Sequence, residues 1–153
     1  MSAERIFADT NIWFYAFVRG QNPEDQRKNN VAAQLIPKRP ELSVHVVNEL
    51  SVNLLKKAAY DEARLQQFIQ AIYRPHRVHP LPYDTLMRAS RLREGYLFSY
   101  WDSLIVAAAL EGDCPMLYSE DMQHDQMIEQ SLRIHNPFRN CSAPLTSLNS
   151  VSY

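Results

Sequence analysis

Short apolar runs alternate with longer amphipathic stretches along this chain, and this pattern predicts strands that alternate with helices. The strand candidates are "RIFA" (5–8), "ELSVHVV" (41–47), "HRVHPL" (76–81), "CPMLYS" (114–119) and "SLRIHN" (131–136). The helix candidates between them are 9–18, 22–36, 48–60, 61–73 and 83–94. Alternation of this kind is typical of a parallel sheet with helices packed against it.

The stretch "YLFSYWDSLIVAAAL" (96–110) differs from the other helix candidates. From Leu104 to Leu110 it contains no polar side chain, so we expect a helix that is buried nearly all round. Asp102 stands at the start of this apolar run. Ser99 and Asp102 have the spacing of a capping box, so Asp102 has a structural interpretation as well as a functional one.

Four acids fall where the predicted sheet would gather them. Asp9 follows the first strand, Asp121 follows "CPMLYS", Glu49 begins the helix after the second strand, and Asp102 begins the buried helix. Sites in parallel α/β sheets form at the carboxyl ends of the strands. We therefore expect Asp9, Glu49, Asp102 and Asp121 at one end of the sheet.

Simpler roles are open to some of these residues. Asp9 or Thr10 could cap the first helix, and Glu120 could replace Asp121 as the functional acid. His45 and Glu49 have the i,i+4 spacing of two ligands on one helix. We expect His45 in the strand, however, which would separate the two side chains.

The grouping of four acids favours a metal site. Like charges repel strongly at short range unless a cation is present or protons are taken up. Oxygen ligands without Cys or His suit Mg²⁺ or Mn²⁺, and such a site can hydrolyse phosphodiesters. The chain has only three glycines, Gly20, Gly95 and Gly112, which cannot form either glycine-rich phosphate-binding pattern.

Composition adds few constraints. The 153 residues suit one domain, which we predict to span residues 1–138, with residues 139–153 as a tail outside the core. A net charge of −1 provides no general attraction for nucleic acid. We find neither a signal peptide nor a membrane span in the sequence, and we expect a cytoplasmic protein. Cys114 and Cys141 lack metal-site spacing, and Cys114 is predicted to be a core thiol.

Two further groups have open interpretations. Arg88 and Arg91 lie about one turn apart on a predicted helix and could form either a solvated face or a clamp for phosphate. His124 next to Asp125 is interpreted as an exposed polar pair rather than as a catalytic base.

The segments around the acids resemble the PIN-domain family of metal-dependent ribonucleases, especially the toxins of VapBC-type toxin–antitoxin pairs. The matching segments occur in family order, span residues 5–138, and read "IFADTNIWFYAF", "VVNELSVNLLKK", "SYWDSLIVAAAL", "LYSEDMQH" and "IHNPF". The resemblance implies a three-layer α/β/α sandwich around a parallel sheet of four or five strands. It also implies an acidic pocket of Asp9, Glu49, Asp102 and Asp121 that binds Mg²⁺ or Mn²⁺.

The resemblance carries further expectations. Thr10, Asn11 and Ser119 would support the pocket, and Asp125 stands where relatives often have glycine, so the loop after Asp121 could differ in shape. An RNA substrate, an antitoxin partner and a homodimer are implied as well.

Two other functions are compatible with parts of the pattern. A haloacid-dehalogenase-like phosphatase also has an Asp after its first strand, but it needs a second Asp two residues later, where this chain has Asn11. A catalytically silent PIN-like module that binds RNA or protein is the alternative of another class. The complete set of four acids argues against it.

Overall fold

The apolar runs form a sheet between two layers of helices, as the alternating pattern predicts. A computed structural model of the protein describes residues 4–139. The strands are β1 (Ile6–Ala8), β2 (Leu42–Ser43), β3 (Val78–His79), β4 (Met116–Tyr118), β5 (Met127–Ile128) and β6 (Leu132–His135). The helices are α1 (Thr10–Phe17), α2 (Pro23–Leu35), α3 (Val44–Lys57), α4 (Glu62–Tyr73), α5 (Tyr83–Gly95) and α6 (Tyr100–Glu111), with a 3-10 turn at Ile36–Lys38.

The sheet is parallel except at one edge. Strands β1, β4 and β6 pair in parallel, and β5 pairs antiparallel with β6. The parallel pair β2–β3 joins them through a bridge between Phe7 and Glu41. The predicted α/β/α architecture with a parallel sheet is confirmed. The sequence did not reveal β5, because its connection to β6 turns through Glu129 and Gln130, which have positive φ angles of 50° and 58° without any glycine.

Helix α6 occupies the centre of the fold. Every residue from Ser103 to Leu110 is buried, so the uninterrupted apolar run has the all-round cover that it predicts. Exposure is confined to the two ends of the helix, at Tyr100 and Trp101 in the first turn and at Glu111, its last residue. The helix therefore holds Asp102 at the boundary between the core and solvent.

The second predicted strand is wrong in its extent. Strand β2 has only two residues, and α3 begins at Val44, so the segment 44–47 is helical. Ser43 caps the helix, since its Oγ accepts a hydrogen bond from Val46 N at 3.3 Å. The β-branched residues of this segment have strand propensity, but Val46, Leu50 and Leu54 are buried at helical spacing. Tertiary packing and the cap thus override local preference.

The core extends to the last described residues. Phe138 is buried, and its ring packs edge-on against Tyr15 with centroids 5.3 Å apart. Cys114 is a buried free thiol, as predicted. The predicted tail from residue 139 onward, including Cys141, lies almost wholly outside the described residues. None of the helices in residues 4–139 is long and apolar enough to cross a membrane.

Candidate active site

The four predicted acids lie at the carboxyl end of the sheet. Asp9 directly follows β1, and Asp121 lies in the loop after β4. Glu49 lies in the second turn of α3 and Asp102 in the first turn of α6. Their charges affect one another, because Asp102 and Glu49 both raise the pKa of Asp9, and Asp121 and Glu49 both raise the pKa of Asp102.

Asp9 is the most enclosed of the four. Only 5% of it is exposed. Its carboxylate accepts hydrogen bonds from Thr10 N at 2.6 Å and from Ser119 Oγ at 2.8 Å. Burial raises its pKa to about 7, although these two hydrogen bonds oppose the rise. No Lys, Arg or His of residues 4–139 forms an ion pair with Asp9.

Asp9 is also the N-cap of α1, so the capping interpretation is correct as far as it goes. A cap needs only one carboxylate oxygen. The second oxygen of Asp9 binds a fully buried serine from β4's end. Ser119 thus has the supporting position that the resemblance implies.

Glu49 has two partners, one of which the sequence analysis missed. Thr10 Oγ1 donates a hydrogen bond to Glu49 Oε1 at 3.0 Å. His45 is wrongly predicted to lie in a strand; it lies on α3, and its Nε2 is 2.9 Å from Glu49 Oε1. This contact lowers the pKa of Glu49 most, although burial opposes it. The Ser43 cap was the signal for a helix that starts early enough to include His45.

Asp102 lies in the first turn of α6, and its carboxyl has a raised pKa. The capping function belongs to Ser99, whose Oγ accepts a hydrogen bond from Asp102 N at 3.1 Å. Burial raises the pKa of the Asp102 carboxyl, Ser99 lowers it, and the charges of Asp121 and Glu49 raise it further. The carboxyl thus interacts with the cap residue Ser99 and also with the charges of the neighbouring acids.

Asp121 is positioned by Asn11, and its neighbour Glu120 is not in the acid group. Asn11 Nδ2 donates a hydrogen bond to Asp121 Oδ2. Glu120 forms a salt bridge with Lys28, so its carboxylate already has a cationic partner. These contacts favour Asp121 over Glu120 as the functional acid.

The loop after Asp121 has a conformation that suits glycine. Asp125 has a φ of 65°, in the left-handed region. Its side chain faces His124 Nε2 at 3.3 Å. His124 Nδ1 accepts a hydrogen bond from Asn136 N at 3.0 Å, so Nε2 carries the ring proton when the imidazole is neutral. His124 therefore cannot offer Nε2 to a metal while it keeps this contact, although Asp125 and His135 are close to it.

The two candidate phosphate-binding arginines have different surroundings. Arg88 forms ion pairs with Glu111 at 3.2 Å and with Glu129 at 2.7 Å. Glu111 ends α6 while Asp102 begins it, nine residues or about 13 Å away along the helix axis. Arg91 is exposed and has no ion pair with any residue that the structure describes. The charge of Arg88 is thus compensated inside the protein.

The donor set of the site fits a hard divalent cation. It contains four carboxylates, of which only Glu49 forms an ion pair within residues 4–139, with His45, and Asp9 is held by neutral donors only. Among the described residues, no three of these acids have oxygens that all lie within 4.8 Å of one another. Such spacing suits Mg²⁺, which usually takes one or two carboxylates directly and keeps several waters.

Two grooves border the acids. The first has a volume of about 390 Å³ and is lined by His45, Asn48, Glu49, Val52, Asn53 and Trp101. The second, of about 340 Å³, is bordered by Asp102, Asp121 and the 95–98 segment. An extended ligand could therefore reach the acids from either side.

Comparisons with known proteins identify the family and the fold of the chain. A model of the PIN domain matches residues 6–129. No match is found among curated proteins. A toxin–antitoxin complex from Klebsiella pneumoniae contains a similar chain, with a TM-score of 0.65, 19% identity, and coverage of 88% of this chain and 98% of that one.

Two other solved structures are similar. VapC20 of Mycobacterium tuberculosis, a sarcin–ricin loop cleaving toxin, has a TM-score of 0.60 and 21% identity over 76% of this chain and 89% of its own. FitAcB from Neisseria gonorrhoeae has a TM-score of 0.62 and 17% identity over 88% and 99% of the two chains. At these identities the likeness shows the fold.

Proposed function

Because this chain belongs to the PIN-domain family, we propose that it is a divalent-metal-dependent ribonuclease that hydrolyses phosphodiester bonds of RNA. The observation that carries the proposal is Asp9, a buried acid beside other acids with no cationic partner in residues 4–139. A buried charge of this kind is costly unless a cation joins it. A silent binding module would have no need for such an arrangement.

In this proposal Asp9, Glu49, Asp102 and Asp121 would hold Mg²⁺ or Mn²⁺, one or two of them directly and the others through water bound to the ion. The bound ion would activate water and neutralise negative charge on the transferring phosphoryl group. Around it, three side chains keep the acids in position: Ser119 binds Asp9, Thr10 binds Glu49, and Asn11 binds Asp121. Supporting hydrogen bonds of this type fix ligand orientation, and their loss typically costs 10- to 100-fold in metal affinity or activity.

The test compares Asp102→Asn with Asp25→Asn, which is a matched control. Each acid is the third residue of its helix, and its backbone N–H donates a hydrogen bond to the side chain of the N-cap residue. We expect Asp102→Asn to lower RNA cleavage by orders of magnitude. It should melt at an equal or higher temperature than wild type in EDTA, because one repelling charge is removed. It should also lose most of the stabilisation that Mg²⁺ or Mn²⁺ gives by binding the folded state.

Asp25→Asn should retain both cleavage and the metal-dependent shift in Tm. Undiminished cleavage by the wild type in excess EDTA would refute the metal-dependent mechanism. An Asp102→Asn protein that keeps its activity and its metal-dependent shift would remove Asp102 from the site.

We also propose that the protein is a toxin, restrained by an antitoxin, and that it forms a homodimer. The likeness to a chain of a toxin–antitoxin complex and to the toxin VapC20 supports the toxin role. A basic antitoxin side chain would be attracted by the uncompensated acids. Co-expression with the neighbouring gene should yield a complex with suppressed cleavage. If the chain is harmless when expressed alone and no partner co-purifies, the toxin role fails while the nuclease can stand.

For the RNA path we propose Arg91 rather than Arg88, because Arg88 already has two acidic partners. Replacing a phosphate contact by Ala reduces the dependence of binding on salt by about one ion. We expect this for Arg91→Ala, with Arg88→Ala as the comparison. An unchanged salt dependence in both variants would return both arginines to the solvated face.

A further inference from the structure

Trp101 is placed where an aromatic side chain is least expected for packing alone. It is the second residue of α6, directly before Asp102, and 58% of it is exposed. The chain has only one other tryptophan, Trp13, which is fully buried and donates Nε1–H to Ala8 O at 2.9 Å. Trp101 therefore has a large apolar surface in water beside the acids.

The ring of Trp101 is held in a defined orientation. It stacks on His45 with centroids 5.2 Å apart and an interplanar angle of 11°. Tyr100 meets it nearly perpendicularly, at 87° and 5.0 Å. His45 covers one face of the indole, and more than half of the residue remains accessible. A fixed aromatic ring loses little conformational entropy when a second flat group stacks on it.

The groove beside Trp101 is suited to a neutral, flat, polar-edged group. Besides Trp101 and Val52 it contains the amides of Asn48 and Asn53, and neither amide hydrogen-bonds to any residue that the structure describes. The groove has no Lys or Arg, and Glu49 would repel a phosphate there. An RNA base has the required face for stacking and the donor and acceptor edges for the amides.

We propose that Trp101, supported by His45, stacks on an unpaired RNA base next to the cleaved phosphodiester, and that Asn48 and Asn53 contact the edge of that base. This inference rests on the proposed ribonuclease function. Glu49 lines the same groove, so a base bound in this groove would lie beside the phosphodiester that is cleaved at the acids. Trp101 then selects unpaired over paired RNA, because a base inside a duplex cannot offer its face.

The experiment separates base stacking from catalysis. Binding of a labelled, unstructured RNA is measured with Mg²⁺ present in the Asp102→Asn protein, so that the RNA stays intact. Aromatic stacking on a base contributes a factor of roughly 5 to 150 in affinity. We expect Trp101→Leu to weaken binding by that factor and Trp101→Phe to weaken it much less. Tyr83→Leu, which changes an exposed aromatic residue on α5, should leave binding unchanged.

A second comparison identifies the base. Single bases around the cleavage position are replaced by abasic ribose, and KM and kcat are measured for wild type and Trp101→Leu. We expect one abasic position to raise KM in the wild type and to have little further effect in Trp101→Leu. That non-additivity would assign the base to Trp101.

The outcomes distinguish this inference from the proposed function. If the wild type cleaves RNA and Trp101→Leu binds RNA as tightly, the stacking role is overturned while the nuclease stands. If Trp101→Leu instead weakens only the binding of a protein partner, the groove is a protein-docking surface and the inference fails. If the wild type does not cleave but one abasic position still weakens binding through Trp101, the base site stands and the nuclease fails.

Discussion

Asp9 and Glu41 are two acids of nearly equal exposure, 5% and 6%, that flank strand β1 in different ways. Glu41 binds Arg5 through two hydrogen bonds at 2.7 and 2.6 Å and His79 at 2.7 Å. Burial raises the pKa of Glu41, but Arg5 and His79 together hold it below its usual value. Asp9 has only a hydroxyl and an amide as partners, and its pKa rises to about 7.

The pKa values of the two acids shift in opposite directions because Glu41 has cationic partners and because Asp9 is the more deeply enclosed of the two. Arg5 and His79 compensate the charge of Glu41 within the fold, whereas neutral donors reduce the cost of burying the charge of Asp9 without removing it. Glu41 therefore serves the structure. Asp9 has no cationic partner in residues 4–139, so its carboxylate needs either a proton or a bound cation, and the metal proposal supplies the cation.

The largest expected effect is the pH dependence caused by Asp9. Moving its pKa from 3.8 to about 7 corresponds to up to about 4 kcal/mol of unfolding free energy. The raised pKa makes the folded state bind the proton more tightly, so stability is highest below pH 4 for this group and is lost as pH rises to 7. Urea unfolding in EDTA should show this fall in the wild type and a smaller one in Asp9→Asn.

Asp61→Asn is the matched control for this variant, because Asp61 is the exposed N-cap of α4 and asparagine caps about as well. It should keep the wild-type pH dependence. If the unfolding free energies of wild type and Asp9→Asn fall equally with pH, Asp9 and Glu41 do not differ as described.

The next effect concerns Glu41. Glu41→Gln breaks its charge pairs and leaves Arg5 and His79 without a carboxylate. We expect a loss of about 2–3 kcal/mol in unfolding free energy at pH 7, below the usual cost of breaking a buried pair because Arg5 is partly exposed. The lowered pKa of Glu41 means that this contribution is present above its ordinary pKa of 4.5 and disappears as pH falls further. Metal-dependent melting should be unaffected.

The smallest effect tests the neutral donor at Asp9. Ser119→Ala removes the hydroxyl that binds Asp9 and accepts from Met122 N. Unfolding free energy should fall by about 1–2 kcal/mol, and more at pH 8 than at pH 5, because the ionised carboxylate needs the donor most. Ser51→Ala removes a hydroxyl that binds only Val47 O, and its change should not depend on pH.

The end of the sheet at which the acids meet could be predicted from the sequence, because that prediction does not require the order of the strands. Asp9 and Asp121 each follow a strand, and parallel strands bring such residues to one edge whatever their order. The burial of α6 was predictable for a similar reason, since an apolar run without a polar face needs cover on all sides. Both predictions depend on one element at a time.

The parts that were missed depend on contacts between elements. The stacking of His45 on Trp101 joins α3 to α6, and nothing in either segment specifies the partner. The start of α3 was misplaced because its valines favour a strand locally, while burial of Val46 and Leu50 decides for a helix. The ion pairs of Arg88 bring together α5, the end of α6 and the β5–β6 turn, which no local pattern links.

The buried and the exposed residues of helix α6 differ in how freely they can be substituted during evolution. From Ser103 to Leu110 a new side chain would disturb packing on every side, so few substitutions would survive selection. Tyr100 and Trp101 contact only a few neighbours and project into solvent. A lineage could therefore alter the residues beside Asp102 and acquire another substrate preference without first gaining stability elsewhere. In this fold, the buried part of α6 fixes the position of Asp102, while the exposed residues beside it can change.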